Sequence, residues 1–181
     1  MDIDKLIKGC IANQRVSQKE FYLLTADRLM NISRRYTSNI HDAKDVLQNA
    51  YIQIFKKIKQ FDAKKGNLDS WLTKIVINEA LQLLRKKKTR TIKETNSQEQ
   101  FEISTSPDIL KRLQAEDVLR VLTRIPESYR IVFNMYVVEG YAHKEIAKLL
   151  TITESTSRSK LTRAKQMIRD LIVKQKKAES C

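Results

Sequence analysis

Apolar residues recur every three or four positions along most of the chain, and the alternation typical of β-strands is absent. The first periodic segment, residues 17–36, predicts a helix whose inner side carries Phe21, Leu24, Leu29, Ile32 and Tyr36. A break at residues 37–39 precedes a second predicted helix, which begins at Asp42 as its N-cap and ends near Gln60. The pattern therefore indicates an all-α protein.

A third helix is predicted after the polar, basic loop of residues 61–67, with Asn67 or Asp69 as its N-cap. Its predicted buried side consists of Leu68, Leu72, Ile75, Val76, Ala80, Leu83 and Leu84. It ends in four basic residues, 85–88, which suit the negative end of a helix dipole. Together the three helices predict one small helical domain over residues 1–90.

The helical pattern is interrupted before the second half of the chain. Residues 89–108 lose their periodicity and are rich in Thr, Ser, Gln and Glu, so we expect residues 91–108 to form a flexible linker. The pattern resumes in a helix that stops before Pro126 and carries Ile109, Leu110, Leu113, Val118, Leu119 and Leu122. A second small helical domain is therefore predicted over residues 109–181.

Three more helices are predicted after Pro126. Pro126 suits the first turn of a helix that closes at the C-cap Gly140 and carries Tyr129, Ile131, Val132, Met135 and Tyr136. The next helix covers residues 143–150, and the last extends from the N-cap Thr153 to about Val173. These last two helices, joined by a short turn, have the form of a DNA-reading helix-turn-helix.

The polar side of the last helix has the side chains that base recognition needs. It carries Thr156, Arg158, Ser159, Lys160, Thr162 and Arg163, while Leu161, Ala164 and Ile168 are expected to pack inward. Arginine can bind guanine through two hydrogen bonds, and Ser or Thr can contact several base edges. A charged, solvated face of a terminal helix is the alternative interpretation. The turn upstream favours contact with DNA.

The charge distribution supports a polyanionic partner. The 181 residues include 35 Lys and Arg against 21 Asp and Glu, which gives a formal net charge of +14. Residues 1–88 carry 18 basic and 9 acidic groups, residues 89–108 carry 2 and 4, and residues 109–181 carry 15 and 8. Two basic blocks around an acidic bridge favour two separate contacts with nucleic acid, because no apolar stretch approaches the length that spans a membrane.

Other classes of function lack the residues that they need. Cys10 and Cys181 cannot build a disulfide framework, and with His41 and His143 they do not have zinc-site spacing, so we expect no metal and no cofactor. No glycine-rich phosphate loop or nucleophile motif is present, so we expect no catalysis by this chain. The first residues lack the pattern of a signal peptide, and we expect a cytoplasmic protein without membrane insertion.

A polar stripe on the third helix is a candidate surface for unpaired DNA. Trp71, Lys74, Asn78, Gln82 and Arg85 are spaced three or four residues apart, so they share one side of the helix. Aromatic rings stack on exposed bases, amides read base edges, and cations hold the backbone. The alternative is that Trp71 belongs to the core and Asn78 is a solvated amide.

The motifs in both halves resemble a known family. Three motifs of the first half resemble region 2 of bacterial sigma factors: DAKDVLQ (42–48), SWL (70–72) followed by Asn78, and LRKK (84–87). Four motifs of the second half resemble region 4 of the same family: IPESYR (125–130), EGY (139–141), KEIA (144–147) and STSRSKLTRA (155–164). The short chain, with only a linker between the regions, resembles the extracytoplasmic-function (ECF) group.

The resemblance implies a dissociable, non-catalytic specificity subunit of bacterial RNA polymerase that recognises promoters. It implies that the helix-turn-helix reads the −35 element and that Asp45, Gln48 and Asn49 bind the core polymerase. It also implies that Lys64, Lys65 and Asn67 of the loop, with the Trp71 stripe, open the −10 element. Trp71 would act as a wedge, while Asn78 and the loop would hold a flipped base. An anti-sigma factor is a further possible partner. The acidic linker is expected to act as a flexible tether; by resemblance, a passage near the RNA path of the polymerase is the role left open.

Four residues depart from the pattern of the family. Asn49 stands where relatives usually carry Glu, which removes one ion pair to the polymerase. Ala142 lacks the usual capping hydroxyl, Thr151 replaces a turn glycine, and Ser157 replaces a common buried Val. We therefore expect a less stable or slightly re-angled DNA-binding unit.

Two other classes of function remain open at this level. A stand-alone helix-turn-helix regulator would need only residues 109–181 and would usually dimerise over a palindrome, whereas the Trp71 stripe argues against it. A protein-interaction module that sequesters a regulator would not need the basic reading helix.

Overall fold

The computed structural model describes residues 3–92, residue 122 and residues 124–179, and all regular elements within these ranges are helical. The chain divides into two compact units, Met1–Thr95 and Asn96–Cys181. The linker predicted over residues 91–108 and the helix predicted from Ile109 lie almost wholly outside the described residues; of that helix, Leu122 is described and is buried. The all-α prediction is confirmed.

The N-terminal unit is a helical bundle. Its described helices are α1 (Ile3–Ile11), α2 (Arg15–Tyr36), α3 (Ile40–Lys57) and α4 (Leu68–Ile92), with a 3₁₀ turn, Ile58–Gln60, after α3. Helix α3 packs against both α2 and α4, and α1 packs against α2. The core side chains of α2 and α3 are Phe21, Leu29, Ile32, Tyr36, Ala43, Val46, Leu47, Ala50, Tyr51 and Ile54.

Several details of α1 and α2 differ from the sequence-based expectation. Helix α1 was not predicted; it buries Leu6, Ile7 and Cys10, too few apolar residues to define a period. Leu24 was predicted to face the core but is 52% exposed. Thr25 takes the inward position instead, because its hydroxyl donates to the Phe21 carbonyl (2.8 Å) and also contacts the Tyr51 hydroxyl (2.7 Å).

The starts of α3 and α4 are set by asparagine caps. The predicted N-cap Asp42 is wrong: Asn39 caps α3 by accepting from the Asp42 backbone N–H at 2.9 Å, and Asp42 lies in the first turn. Asn67, one of the two predicted caps of α4, accepts from the Ser70 backbone N–H at 2.7 Å. The other candidate, Asp69, pairs with Arg28 of α2 at 2.8 Å.

The buried side and the end of α4 also differ from the prediction. Leu72, Val76 and Ala80 are buried as expected, but Ile77 and Leu81 complete the buried face. The other residues predicted to be buried are partly exposed: Leu68, Ile75, Leu83 and Leu84. The helix does not end in residues 85–88 but continues to Ile92, so the basic run lies inside it.

The C-terminal unit contains the predicted helix-turn-helix. Helix α5 (Glu127–Phe133) follows Pro126, which lies at the N-cap, one position earlier than expected. A π-helical segment (Asn134–Val138), which was not predicted, leads to Gly140 with the expected positive φ of 76°. Helices α6 (His143–Leu150) and α7 (Glu154–Glu179) follow, and Thr153 caps α7 by accepting from the Thr156 N–H at 3.0 Å.

The core of this unit lies between α7 and the two preceding helices. Helix α7 packs against α5 and α6. Its inward residues include the predicted Leu161, Ala164 and Ile168, and also Ser157 and Ile172. Tyr136 was expected inside but is 40% exposed; it lies in the π-helical segment, and its ring stacks on that of His143.

The first prediction concerns the contribution of the Tyr51 hydroxyl to stability. Burial raises the pKa of Tyr51 to about 12, so the folded protein favours the neutral phenol. The unfolded phenol has a pKa of about 10, so this stabilisation is complete below pH 10 and is lost as the pH rises towards 12. Tyr51→Phe should lower the free energy of unfolding by about 1 kcal/mol at pH 8 and should lose less stability than the wild type between pH 10 and 11.5.

Urea unfolding at pH 8, 10 and 11.5 measures both effects. Tyr22→Phe is the matched control, since the ring of Tyr22 contacts that of Tyr51 at 4.7 Å while its side chain is 43% exposed. Equal loss of stability in alkali for the wild type and Tyr51→Phe would contradict the prediction.

Candidate nucleic-acid interface

The polar stripe of α4 lies on the surface that the bundle leaves open. Lys74, Asn78, Gln82 and Arg85 are exposed, and Trp71 is partly exposed. At 100° per residue these five side chains fall within about 80° of each other, on the side of α4 away from Val76, Ile77 and Ala80. The ring of Trp71 is therefore not sealed in the core, and the stripe lies at the surface of the unit.

Phe61 is a neighbour of Trp71 that the sequence analysis missed. Its ring lies 5.7 Å from that of Trp71, measured between centroids, with an angle of 55° between the planes. Both side chains are partly exposed, so the two rings form one aromatic surface beside the basic loop. An aromatic residue at the start of the loop was the only signal in the sequence, and it does not reveal the contact with α4.

The loop of residues 61–67 presents cations around an ordered turn. Asp62 holds the turn, because its carboxylate accepts from the Lys64 backbone N–H at 2.9 Å. The side chains of Lys64 and Lys65 are exposed, and Lys65 lies 3.8 Å from the Asp62 carboxylate. The amide oxygen of Asn67 is used as the α4 cap, which leaves its NH₂ group for a ligand.

The predicted polymerase-binding residues share one exposed surface of α3. Asp45, Gln48 and Asn49 are all exposed, while Val46, Leu47 and Ala50 between and after them are buried. Ile52 lies one turn further along this surface and is 44% exposed. The surface therefore combines one carboxylate, two amides and an apolar residue, a combination suited to binding another protein.

The predicted −35-reading residues surround the outer side of α7. Ser159, Thr162 and Arg163 lie opposite the buried face, with Arg158 and Lys160 on its two flanks. Arg158 pairs with Glu154 at 2.8 Å. The hydroxyls of Ser159 and Thr162 donate to backbone carbonyls of their own helix at 3.0 and 3.1 Å, so each keeps lone pairs for a base.

Tyr129 of α5 engages two of the predicted reading residues. The Lys160 ammonium lies 5.5 Å from the centre of its ring, and Arg163 Nη1 donates to its hydroxyl at 3.5 Å. Thr156 is partly exposed, and its hydroxyl contacts that of the cap Thr153 at 2.8 Å. The basic side chains are therefore partly ordered before any ligand is present. The exposed Ser155, in the first turn of α7, was not among the predicted residues.

The three departures in the helix-turn-helix have visible consequences. Ala142 offers no side-chain acceptor to α6, although the Glu145 carboxylate accepts from the Ala142 N–H at 2.8 Å. Thr151 adopts the left-handed conformation, with φ 55° and ψ 49°, as the glycine that it replaces would. Ser157 is fully buried, and its hydroxyl lies 2.9 Å from Nδ1 of His143.

Burial lowers the pKa of His143, and Arg158 adds to this effect by its charge. The ring of His143 also stacks on that of Tyr136, with 4.5 Å between centroids and 20° between planes. A neutral imidazole therefore joins the two helices of the motif near neutral pH.

The described residues lack the features of two other classes of site. They contain no group of three or more His, Cys, Asp or Glu side chains that could hold a metal ion. No helix in the same ranges is long and apolar enough to cross a membrane.

Each of the two helical units carries basic side chains on its surface, an arrangement suited to a protein that contacts nucleic acid at two places. The family model for Sigma-70 region 2 matches residues 21–90, and that for Sigma-70 region 4 matches residues 115–168. The chain belongs to the sigma-70 family and, within it, to the ECF group.

Curated relatives carry the same assignment. The chain is 27% identical over 154 residues to ECF RNA polymerase sigma factor SigE of Mycolicibacterium smegmatis, a match that covers 82% of this chain and 59% of that protein. It is 22% identical to ECF RNA polymerase sigma factor SigW of Bacillus subtilis, covering 93% of this chain and 96% of the relative.

A solved structure is also similar. It is the sigma factor RpoE of Bartonella quintana in complex with the anti-sigma factor NepR, with a TM-score of 0.53 and 21% identity. The match covers 85% of this chain and 95% of that one, and it supports the fold.

The second prediction concerns the backbone strain at Thr151, in the turn between α6 and α7. A side chain in the left-handed region costs about 1–2 kcal/mol, and glycine avoids that cost while losing some backbone entropy on folding. Thr151→Gly should therefore raise the free energy of unfolding by about 0.5–1 kcal/mol, measured by urea unfolding of the full chain. Thr151→Ala is the control because it keeps a Cβ atom. A glycine variant no more stable than the alanine variant would show that the turn is not strained.

Proposed function

We propose that this ECF sigma factor binds core RNA polymerase and directs it to promoters, where α7 reads the −35 element and α4 helps to open the −10 element. It has no catalytic activity of its own and acts in the cytoplasm. The observation that carries the proposal is the exposed stripe from Trp71 to Arg85, since a regulator that reads only duplex DNA has no use for it.

The chemistry of the stripe supports a preference for unpaired bases. A duplex hides the faces of its bases, whereas a melted strand exposes them to the rings of Trp71 and Phe61. The amide of Asn78 can both donate to and accept from a flipped base, and its exposure makes it available. Lys64, Lys65 and Lys74 supply the charge that attracts the backbone of the displaced strand.

The exposed surface of α3 supports the binding of the polymerase. Asp45, Gln48 and Asn49 have backbone positions fixed by the buried residues beside them, so the surface is preorganised for a partner. A carboxylate at residue 45 attracts a basic partner, and Asn49 can add hydrogen bonds but no ion pair.

We also propose an anti-sigma factor as a partner of the N-terminal unit. The similar Bartonella protein was solved with such a factor. Here α2 exposes Val16, Leu23 and Leu24 by 70%, 67% and 52%, which offers apolar surface to a partner helix.

Run-off transcription with core RNA polymerase over a promoter library tests the proposal directly. The chain should form a complex with the core enzyme and should produce transcripts from a defined subset of promoters. If the free chain instead binds a specific duplex while failing to bind the core enzyme, it acts as a stand-alone helix-turn-helix regulator.

The third prediction concerns Asn78. Asn78→Ala should reduce open-complex formation at the −10 element by about tenfold, because one base contact of roughly 1–3 kcal/mol is lost. Binding to core polymerase should not change, since the side chain is exposed and does not belong to the α3 surface proposed to bind the polymerase. Permanganate footprinting and a core-binding titration measure the two effects. Asn31→Ala, at an exposed amide of α2, is the matched control. Loss of both activities together would contradict the base-holding role.

The fourth prediction concerns Asp45. Asp45→Lys should weaken the affinity for core polymerase by about tenfold or more, because the reversed charge repels the same partner. Duplex −35 binding and thermal stability should be unchanged. Glu20→Lys, an equal charge reversal at an exposed position of α2, is the control. Equal effects of the two variants in a fluorescence titration with core enzyme would exclude the α3 surface as the docking site.

A further inference from the structure

The buried hydroxyl of Ser157 is an unusual feature of the reading helix. The inner face of α7 is otherwise apolar, with Leu161, Ala164 and Ile168 all buried. A buried hydroxyl costs free energy unless it has a hydrogen-bond partner. Ser157 has one across the helix-turn-helix: its Oγ lies 2.9 Å from Nδ1 of His143, the first residue of α6. A directional bond thus replaces the nonspecific contact that an apolar side chain would make.

The same imidazole also connects a third element. The ring of Tyr136, in the π-helical segment, lies 4.5 Å from that of His143 and is nearly parallel to it. The π-helical segment, the start of α6 and the first turns of α7 therefore meet at a single side chain. Because Ser157 directly precedes Arg158 and Ser159, this contact holds α7 at the point where its polar side is expected to meet DNA.

Local determinants of the angle between α6 and α7 are weak in this chain. The N-cap of α6 is Ala142, which offers no side-chain acceptor, and the turn after α6 passes through Thr151 in the left-handed region. Neither end of α6 is held by the residue type that favours its conformation. The contact between His143 and Ser157 is a side-chain hydrogen bond that links the two helices of the motif directly.

We propose that His143 and Ser157 are positioning residues that set the angle of the reading helix and thereby its affinity and base preference at the −35 element. This inference rests on the proposed function. A hydrogen bond restrains both the distance and the direction between its partners, so it fixes the rotation of α7 more tightly than packing alone. Removing it leaves α7 attached but lets its outer side chains shift relative to the bases.

The experiment compares Ser157→Val, Ser157→Ala and His143→Leu with the wild type in the full chain bound to core polymerase. Ser33→Val is the matched control: Ser33 is equally buried, and its hydroxyl donates to the Leu29 carbonyl at 2.9 Å within α2. His143→Asn tests rescue, because an asparagine amide can reach the position of Nδ1, whereas His143→Gln places its amide further out. Thermal unfolding of each variant accompanies the binding measurements.

Two readouts separate positioning from stability. Transcription from a library of −35 variants measures base preference, and a fork template that carries only the −10 element measures function independent of α7. We expect Ser157→Val and His143→Leu to lose about fivefold to tenfold in affinity for the preferred −35 sequence and to change the ranking of the library. The fork template, Ser33→Val and His143→Asn should retain the behaviour of the wild type.

Three outcomes would overturn the inference. The first is that Ser157→Val and His143→Leu leave the ranking of −35 sequences unchanged. The second is that these variants lose as much transcription on the fork template as on promoters with a −35 element. The third is that His143→Asn restores −35 recognition no better than His143→Gln. A wild-type chain that shows no −35-dependent transcription would instead overturn the proposed function. Failure of the positioning role and failure of the sigma activity are therefore distinguished within one set of reactions.

Discussion

A helix in a small bundle can bury only one side, and the chemistry of this protein depends on that constraint. In α4 the burial of Leu72, Val76, Ile77, Ala80 and Leu81 against α2 and α3 fixes the rotation of the helix about its axis. That rotation determines which residues remain outside, and they include one indole, two amides and two cations. In α7 the burial of Leu161, Ala164 and Ile168 has the same effect, so apolar packing decides which polar groups each unit presents.

The sequence was sufficient for the order of the described helices after α1 and for several of their ends, because Asn67, Gly140 and Thr153 act through local contacts. It was insufficient for the rotation of α4, where apolar residues lie on more than one side. The choice between Ile75 and Ile77 depends on partner helices that are distant in sequence. The π-helical segment was also missed, since its wider hydrogen bonding has no marker among residues 134–138.

Candidate site residues were predicted by type and spacing, but their partners were not. Phe61 lies beside Trp71 only because the loop folds back on α4. Tyr129 lies beside Lys160 and Arg163 only because α5 packs on α7. Contacts of this kind join residues 10 to 34 positions apart, so no periodicity reveals them. The departures at Ala142, Thr151 and Ser157 were visible in the sequence, whereas the compensating contact with His143 was visible only in the fold.

Helix α4 continues beyond its basic residues, so the distance between Trp71 and Arg85 is fixed by regular helical structure. Because the helix reaches Ile92, Arg85 lies within regular structure and not at a frayed end. The fourteen-residue separation between Trp71 and Arg85 corresponds to about 21 Å along the axis at 1.5 Å per residue. At the duplex spacing of about 3.4 Å per nucleotide along one strand, this length corresponds to about six nucleotides. Under the proposed function, the geometry of a single helix therefore limits the length of separated strand that α4 can bind.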